Sequence, residues 1–235
     1  MSLERLDKIL AGSGRYTRSQ ARTAILSGAV AVDGVPVRRP ETKVRRESLI
    51  TAEGQIIDSA EFVYYMMDKP AGTICATVDG AYPAVTGLLP GYLRARGLFP
   101  VGRLDADVTG LLLLTDDGAF AHRITSPRSE VKKIYEIETD GPLLPEHGRM
   151  LAAGVVMADG TRYRPAVLTI DGEDPAKGSV TVTEGKYHEV KNLIAACGRR
   201  ILAMRRTAIG GLVLDTGLGP GGLRPLTKNE IDSCF

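Results

Sequence analysis

Leu3, Leu6 and Leu10 recur at helical spacing and Gly12 and Gly14 close the stretch, which predicts a short first helix. Thr17 followed three residues later by Gln20 is a capping-box pattern and predicts a second helix. Its buried stripe is Ala21, Ala24 and Ile25, and Gly28 stands just past its end. Val30 to Val32 and Val35 to Val37 flank Asp33-Gly34, a strong hairpin signal. Residues 54–60 read as a polar connector, and after it the pattern changes. Phe62 to Met67 predicts a strand ended by Asp68-Lys69-Pro70. Leu111 to Thr115 predicts a buried strand closed by Asp116-Asp117-Gly118, and Ala119 to Thr125 a short helix before Pro127. Lys133 to Glu138 alternates as a strand with one wet face, and Val180 to Thr183 predicts another. His188 to Ala196 predicts a helix ended by Gly198. Strands outnumber helices and hairpin-type turns join them, so the fold class is α+β with a largely antiparallel sheet. The expected organisation is a module over residues 1–59 and a larger domain over 60–235.

Composition narrows the class. With 235 residues, 43% hydrophobic and 25% charged, the chain is globular rather than fibrous or disordered. Three cysteines, odd in number and far apart, fit a reducing compartment and neither a disulfide framework nor a thiolate metal site. No apolar run approaches the roughly 18 residues of a membrane span. Glu4, Arg5, Asp7 and Lys8 interrupt any signal-peptide core. A soluble cytoplasmic protein without a membrane partner is expected, and a monomer by default.

Net charge is only +2, but its distribution is uneven: residues 1–58 hold ten Lys/Arg against seven Asp/Glu, the remainder twenty against twenty-one. Arg15, Arg18 and Arg22 lie at the turn and along one edge of the second helix, and Arg38 and Arg39 follow the hairpin. Together they read as an RNA-backbone patch, with a solvated charged face as the bland alternative.

Chemistry concentrates in Val101-Gly-Arg-Leu-Asp-Ala-Asp-Val-Thr-Gly-Leu-Leu-Leu-Leu-Thr-Asp-Asp-Gly118. A glycine-kinked loop sets Arg103 and Asp105 immediately before a strand that must be buried, so the loop is held rigidly. A neighbouring guanidinium favours the ionised carboxylate. From the residues alone three readings stay open: a functional acid, a structural Arg–Asp pair, or an Asp105/Asp107 pair for a divalent cation. No phosphate-cradling glycine loop and no HxxxH spacing among His122, His147 and His188 accompanies them, so no cofactor and no metal are expected.

This segment resembles motif II of the pseudouridine synthases. Lys69-Pro70 with Gly72 is similar to motif I, and Lys133-Ile-Tyr135 to the segment with the family's active-site tyrosine. Glu184-Gly-Lys-Tyr-His-Glu-Val-Lys191 is similar to motif III, and Arg206 to Gly211 with Leu223-Arg-Pro-Leu226 to the family's C-terminal end. Thr17-Arg-Ser-Gln-Ala21 and Gly28-Ala-Val-Ala-Val-Asp-Gly34 resemble the αL RNA-binding domain of a small-subunit ribosomal protein and many RNA-modifying enzymes. Asp105-Ala-Asp107 and His122-Arg-Ile-Thr-Ser-Pro127 resemble the small-subunit ribosomal, RsuA-type branch. Glu189 and Asn192 depart from that branch, where Gln and Arg are usual, and are expected to lower positive charge along the RNA path.

The resemblance implies a small αL module followed by a catalytic domain with a mixed, largely antiparallel sheet flanked by helices. It implies isomerisation of a uridine to pseudouridine in ribosomal RNA, 16S RNA in a folded or partly assembled small-subunit precursor. Asp105 is the implied essential carboxylate, as nucleophile or base; Arg103 and Lys191 bracket it with positive charge, and Tyr135 meets the extruded uracil. Lys69 joins Arg15, Arg18, Arg22, Arg38 and Arg39 as an RNA-contacting residue. His188 reads as structural. The alternatives are a large-subunit RNA synthase and a non-catalytic RNA-binding assembly factor.

Overall fold

The computed structural model describes residues 3–235. It divides into two units, the chain up to Val63 with Leu88–Leu98, and Tyr64–Gly87 with Phe99–Phe235.

The first unit begins with β1 (Leu3–Arg5), α1 (Leu6–Gly12) and α2 (Arg18–Ser27). Leu3 is therefore not helical: it is exposed and pairs with Arg45, because β1 runs antiparallel to β4 (Lys43–Arg45). The capping box at Thr17 and Gln20 is present, and Gly28 takes the left-handed φ of 84° that ends α2. The hairpin of β2 (Val30–Val32) and β3 (Val35–Pro36) turns at Asp33 and Gly34, both at positive φ. β5 (Ile50–Ala52) extends it, and part of the expected connector is a strand, β6 (Gln55–Ile56), paired with β5. Leu6, Ile9, Leu10, Ala21, Ile25, Val30 and Ile50 form the core.

Leu88–Leu98 returns to this unit, which a boundary after residue 59 does not anticipate. Its helix α3 (Gly91–Arg96) buries Leu93, and Arg96 donates to the carbonyls of Ala60 (2.7 Å) and Glu61 (3.1 Å). Arg15 lies 4.5 Å over the Tyr92 ring, and a Cβ on Gly14 would run into the Tyr92 carbonyl.

The second unit is built on one mixed sheet of β7 (Tyr64–Lys69), β8 (Phe99–Pro100), β9 (Thr109–Thr115), β10 (Lys133–Thr139), β13 (Val167–Ile170), β14 (Lys177–Val182), β15 (Ile201–Ile209), β16 (Leu212–Val213) and β17 (Leu223–Pro225). A separate hairpin joins β11 (Val155–Val156) and β12 (Arg162–Tyr163). The strand order is β13-β14-β10-β15-β9-β7-β17, with β16 on β15 and β8 on β9. Among the described strand pairs of this sheet only β15–β9 is parallel, so the sheet is mixed and largely antiparallel. α4 (Gly118–Thr125), α5 (Pro145–Ala152), α6 (Glu189–Ala196) and α7 (Lys228–Ser233) complete the unit.

β7 does not stop before Asp68. It continues through Lys69 because Asp68 meets Arg205 at 2.7 Å and Pro70, which has no N–H to offer a ladder, ends it. The three cysteines are free thiols, and Cys234 is fully buried in the core around Met66, Leu111 and Phe120. No helix among the described residues is long and apolar enough to cross a membrane.

Candidate active site

Every residue of β9 from Gly110 to Thr115 is buried, which fixes the start of the strand and the loop before it. The loop is clamped from β7. Lys69 is 0% exposed, and its ammonium donates to the carbonyls of Pro70 (3.1 Å), Ala106 (3.4 Å) and Val108 (2.7 Å). Burial pushes its pKa below the usual lysine value. Lys69, expected as an RNA contact, is therefore turned away from solvent, its ammonium spent on these three carbonyls. Gly72 N–H adds a bond to Ala106 O at 2.8 Å.

Asp105, at the centre of this loop, is half-buried and faces α6. Lys191 Nζ lies 2.9 Å from its Oδ2 and 2.8 Å from Oδ1 of Asp107. The ammonium thus occupies the position between the two carboxylates that a divalent cation would need. Among the described residues no group of three His, Cys, Asp or Glu side chains is arranged to hold a metal. Burial opposes the charge of Lys191, but its bonds to Asp107 and Asp105 prevail and raise its pKa. The Asp107 carboxyl is likewise opposed by burial and held low by Lys191.

His188 is at the N-terminal cap of α6 with φ of 52°, an uncommon conformation for a residue with a side chain. Its Nε2 stands 3.4 Å from Asp105 Oδ2, and its ring stacks on exposed Tyr187 at 3.7 Å. The residue that reads as structural in the sequence thus touches the acid. Its place directly before an apolar helix, three residues from Lys191, was the available signal.

Arg103 and Asp105 line a cleft of about 280 Å³ with Tyr135, Lys133, His188 and Arg206. Arg103 is exposed and makes no ion pair with Asp105; that contact belongs to Lys191. Tyr135 points inward from β10, and Arg206 from β15 stands beside it with Nη1 3.5 Å from the phenol oxygen. Lys133 is also buried, its pKa lowered by burial and by Arg206. Glu189 is buried too and lines a smaller cavity of about 70 Å³ with Asp105 and Tyr135. It does not lie on an exposed RNA path. Burial, and then Glu184, push its carboxyl up to about 7. Asn192 is turned toward Tyr163, whose hydroxyl accepts from it at 2.6 Å.

The RNA pseudouridylate synthase family matches residues 63–196, which contain this whole arrangement except Arg206. The chain belongs to that family. The synthase is 38% identical to ribosomal small subunit pseudouridine synthase A of Haemophilus influenzae over 97% of its own length and 98% of that protein's. The same identity relates it to the enzyme of that name in Escherichia coli strain K12, over 97% and 99% of the two chains. An uncharacterized RNA pseudouridine synthase of Bacillus subtilis is also 38% identical, over 97% and 96%. A solved pseudouridylate synthase structure covers 99% of the chain at a TM-score of 0.69 and 37% identity.

Residues 4–50 of the synthase match the S4 domain. Arg15, Arg18, Arg22, Arg38 and Arg39 are all exposed there. Arg18 and Arg22 share a surface hollow with Arg5 and Lys8, two cations outside the patch expected from the sequence, around the single acid Asp7. Arg38 is partly committed to the fold, donating to the carbonyls of Leu26 (3.3 Å) and Ser27 (2.9 Å) at the end of α2.

Proposed function

We propose that the synthase isomerises a uridine of ribosomal RNA, with small-subunit (16S) RNA as its substrate, acting as a monomer in the cytoplasm. The observation that carries the chemistry is the Asp105 carboxylate held 2.9 Å from Lys191 Nζ in a cleft walled by Tyr135. Two small-subunit synthases named above, alike over nearly their full length, support the choice of RNA.

A uridine in folded RNA must leave its stack before a side chain can reach the glycosidic bond. Arg5, Lys8, Arg15, Arg18, Arg22 and Arg39 offset that cost by neutralising phosphates. In the cleft Asp105 attacks C1′ or takes a ribose proton, and Lys191, 2.9 Å from its Oδ2, aims it. Tyr135 offers a ring face and a hydroxyl to the extruded base, and Arg103 at the exposed rim meets the RNA backbone. All of this is acid–base and electrostatic work by side chains, so no cofactor enters.

The test is position-resolved pseudouridine mapping of both ribosomal RNAs from cells with and without the gene, paired with tritium release from RNA labelled at uracil C5. One small-subunit position lost in the deletion and restored by the wild-type gene is the expected result. Loss only from large-subunit RNA overturns the 16S assignment; no tritium release from either RNA overturns the catalytic reading.

A further inference from the structure

Arg206 is 3% exposed, yet no carboxylate pairs with it among the described residues. Its Nε donates to Leu111 O at 2.8 Å, its Nη1 reaches only the Tyr135 hydroxyl at 3.5 Å, and its buried Nη2 has no partner. Lys69 and Lys133, both buried, carry further positive charge close enough to be felt by or to feel Arg206. A buried guanidinium with a missing acceptor and like-charged neighbours is costly, and native proteins rarely keep one without use for it. The guanidinium lies 6.0 Å over the Tyr135 ring and lines the cleft that holds Asp105.

We propose that Arg206 is a catalytic residue of the isomerisation: its Nη2 donates to a carbonyl oxygen of the extruded uracil and carries the negative charge the base gains as the C1′–N1 bond breaks. The proposal rests on the pseudouridine synthase reading and names how the site holds the base. The electron pair of the broken bond leaves with N1 and spreads onto O2 and O4. After the base turns, C5 bonds to C1′, the C5 proton passes to solvent and N1 takes one up, so the step balances without oxidant or second substrate. A donor fixed beforehand where charge develops stabilises the transition state more than the ground state. A phosphate is the poorer fit for Arg206, because the exposed cations at the rim, Arg103 and Lys186, meet the backbone first.

The alternative is a purely structural Arg206 that ties β15 to β9 through Leu111, and stability separates the two. Replacing an uncompensated buried charge by an apolar side chain of similar length is often neutral or stabilising. Arg206→Met is therefore expected to melt no lower than wild type, to bind RNA within about threefold, and to lose about 100-fold or more in single-turnover rate at saturating RNA. A second readout uses RNA with 2-thiouridine or 4-thiouridine at the target. The oxygen-to-sulfur rate ratio should change at least about threefold between wild type and variant at one of the two positions and not at the other, as a direct contact requires. Arg206→Lys, which keeps the charge, carries this comparison should the Met variant fail to fold. A Met variant within tenfold of the wild-type rate, a rate loss that merely tracks a lower melting temperature, or equal thio ratios in all forms overturns the proposal. A wild-type protein that isomerises no uridine in either ribosomal RNA overturns both readings; wild-type turnover with an unimpaired variant overturns this one alone.

Discussion

Asp105 makes its close contacts with groups that bear or can bear positive charge, Lys191 at 2.9 Å and His188 at 3.4 Å. Removing its charge while keeping its shape should leave the fold and RNA affinity intact and abolish turnover. Asp105→Asn is expected to lower the single-turnover rate by more than about 1000-fold, as loss of a reacting group does; residual activity within tenfold of wild type would sink this role. Because Lys191 fills the space between Asp105 and Asp107, turnover of pre-folded RNA should persist in EDTA, checked by tritium release. Glu189 sets a pH dependence. Its folded carboxyl titrates near 7, above the ordinary value, with Glu184, Lys186 and Lys133 around it. A raised carboxyl pKa contributes stability that is present below the unfolded pKa and lost as pH rises through the folded one. Wild type should therefore lose stability between about pH 4.5 and pH 8, while Glu189→Gln flattens that dependence and melts higher at pH 8. Each kcal/mol is worth about 2–4 °C in a protein of this size. Melting curves at pH 5 and pH 8 check the sign, and parallel shifts of both proteins refute it.

At the scale of elements, the site depends on the parallel contact of β9 with β15, where Thr109 and Gly110 face Arg205 and Arg206. Gly110 has φ of 100°, and a Cβ there would run into the Arg206 carbonyl. Gly110→Ala should push the strands apart, costing about 3 kcal/mol or more from strain and overpacking together. Gly118 opens α4 with no atom near its missing side chain, so Gly118→Ala is the neutral control. Far-ultraviolet circular dichroism melts of the two variants measure the difference, and equal melting temperatures would remove the special role of this crossing. β7 contributes from the other side of β9: its terminal Lys69 holds the Asp105 loop by two carbonyls, those of Ala106 and Val108, so the strand's end anchors that loop rather than facing solvent.

For the whole molecule, the cations of the S4 domain and the groups around Asp105 belong to different units of the chain, so affinity and chemistry should respond to separate substitutions. An Arg15/Arg18/Arg22→Ala triple variant should bind ribosomal RNA more weakly across sequences. Its log–log salt slope should flatten by about 0.7–0.9 for each phosphate the variant no longer neutralises. The single-turnover rate at saturating RNA should change little. Filter binding at several salt concentrations reads the slope. An unchanged slope would make the patch a solvated face, and a collapsed saturating rate would make the S4 domain part of the active site.

What the sequence alone determined is what a few neighbouring residues dictate. The capping box at Thr17, the Asp33-Gly34 turn and the buried run from Leu111 were all legible, since each rests on side-chain type and local spacing, and Asp105, Tyr135 and Lys191, singled out by their motifs, do come together around one cleft. Tertiary structure decided which charges are buried and whom they meet. Lys191 reaches Asp107 across 84 positions, Arg206 reaches Leu111 across 95 and Arg205 reaches Asp68 across 137. Such pairs follow from strand order and register, which no local pattern specifies. For that reason Lys69 read as an RNA contact and proved a buried clamp, Glu189 read as an acid along the RNA path and proved buried, and Arg206 passed as part of a motif. Burial sets their chemistry by stripping away water, so the same residue type becomes a solvated ion, a loop anchor or a stored charge according to where the sheet places it.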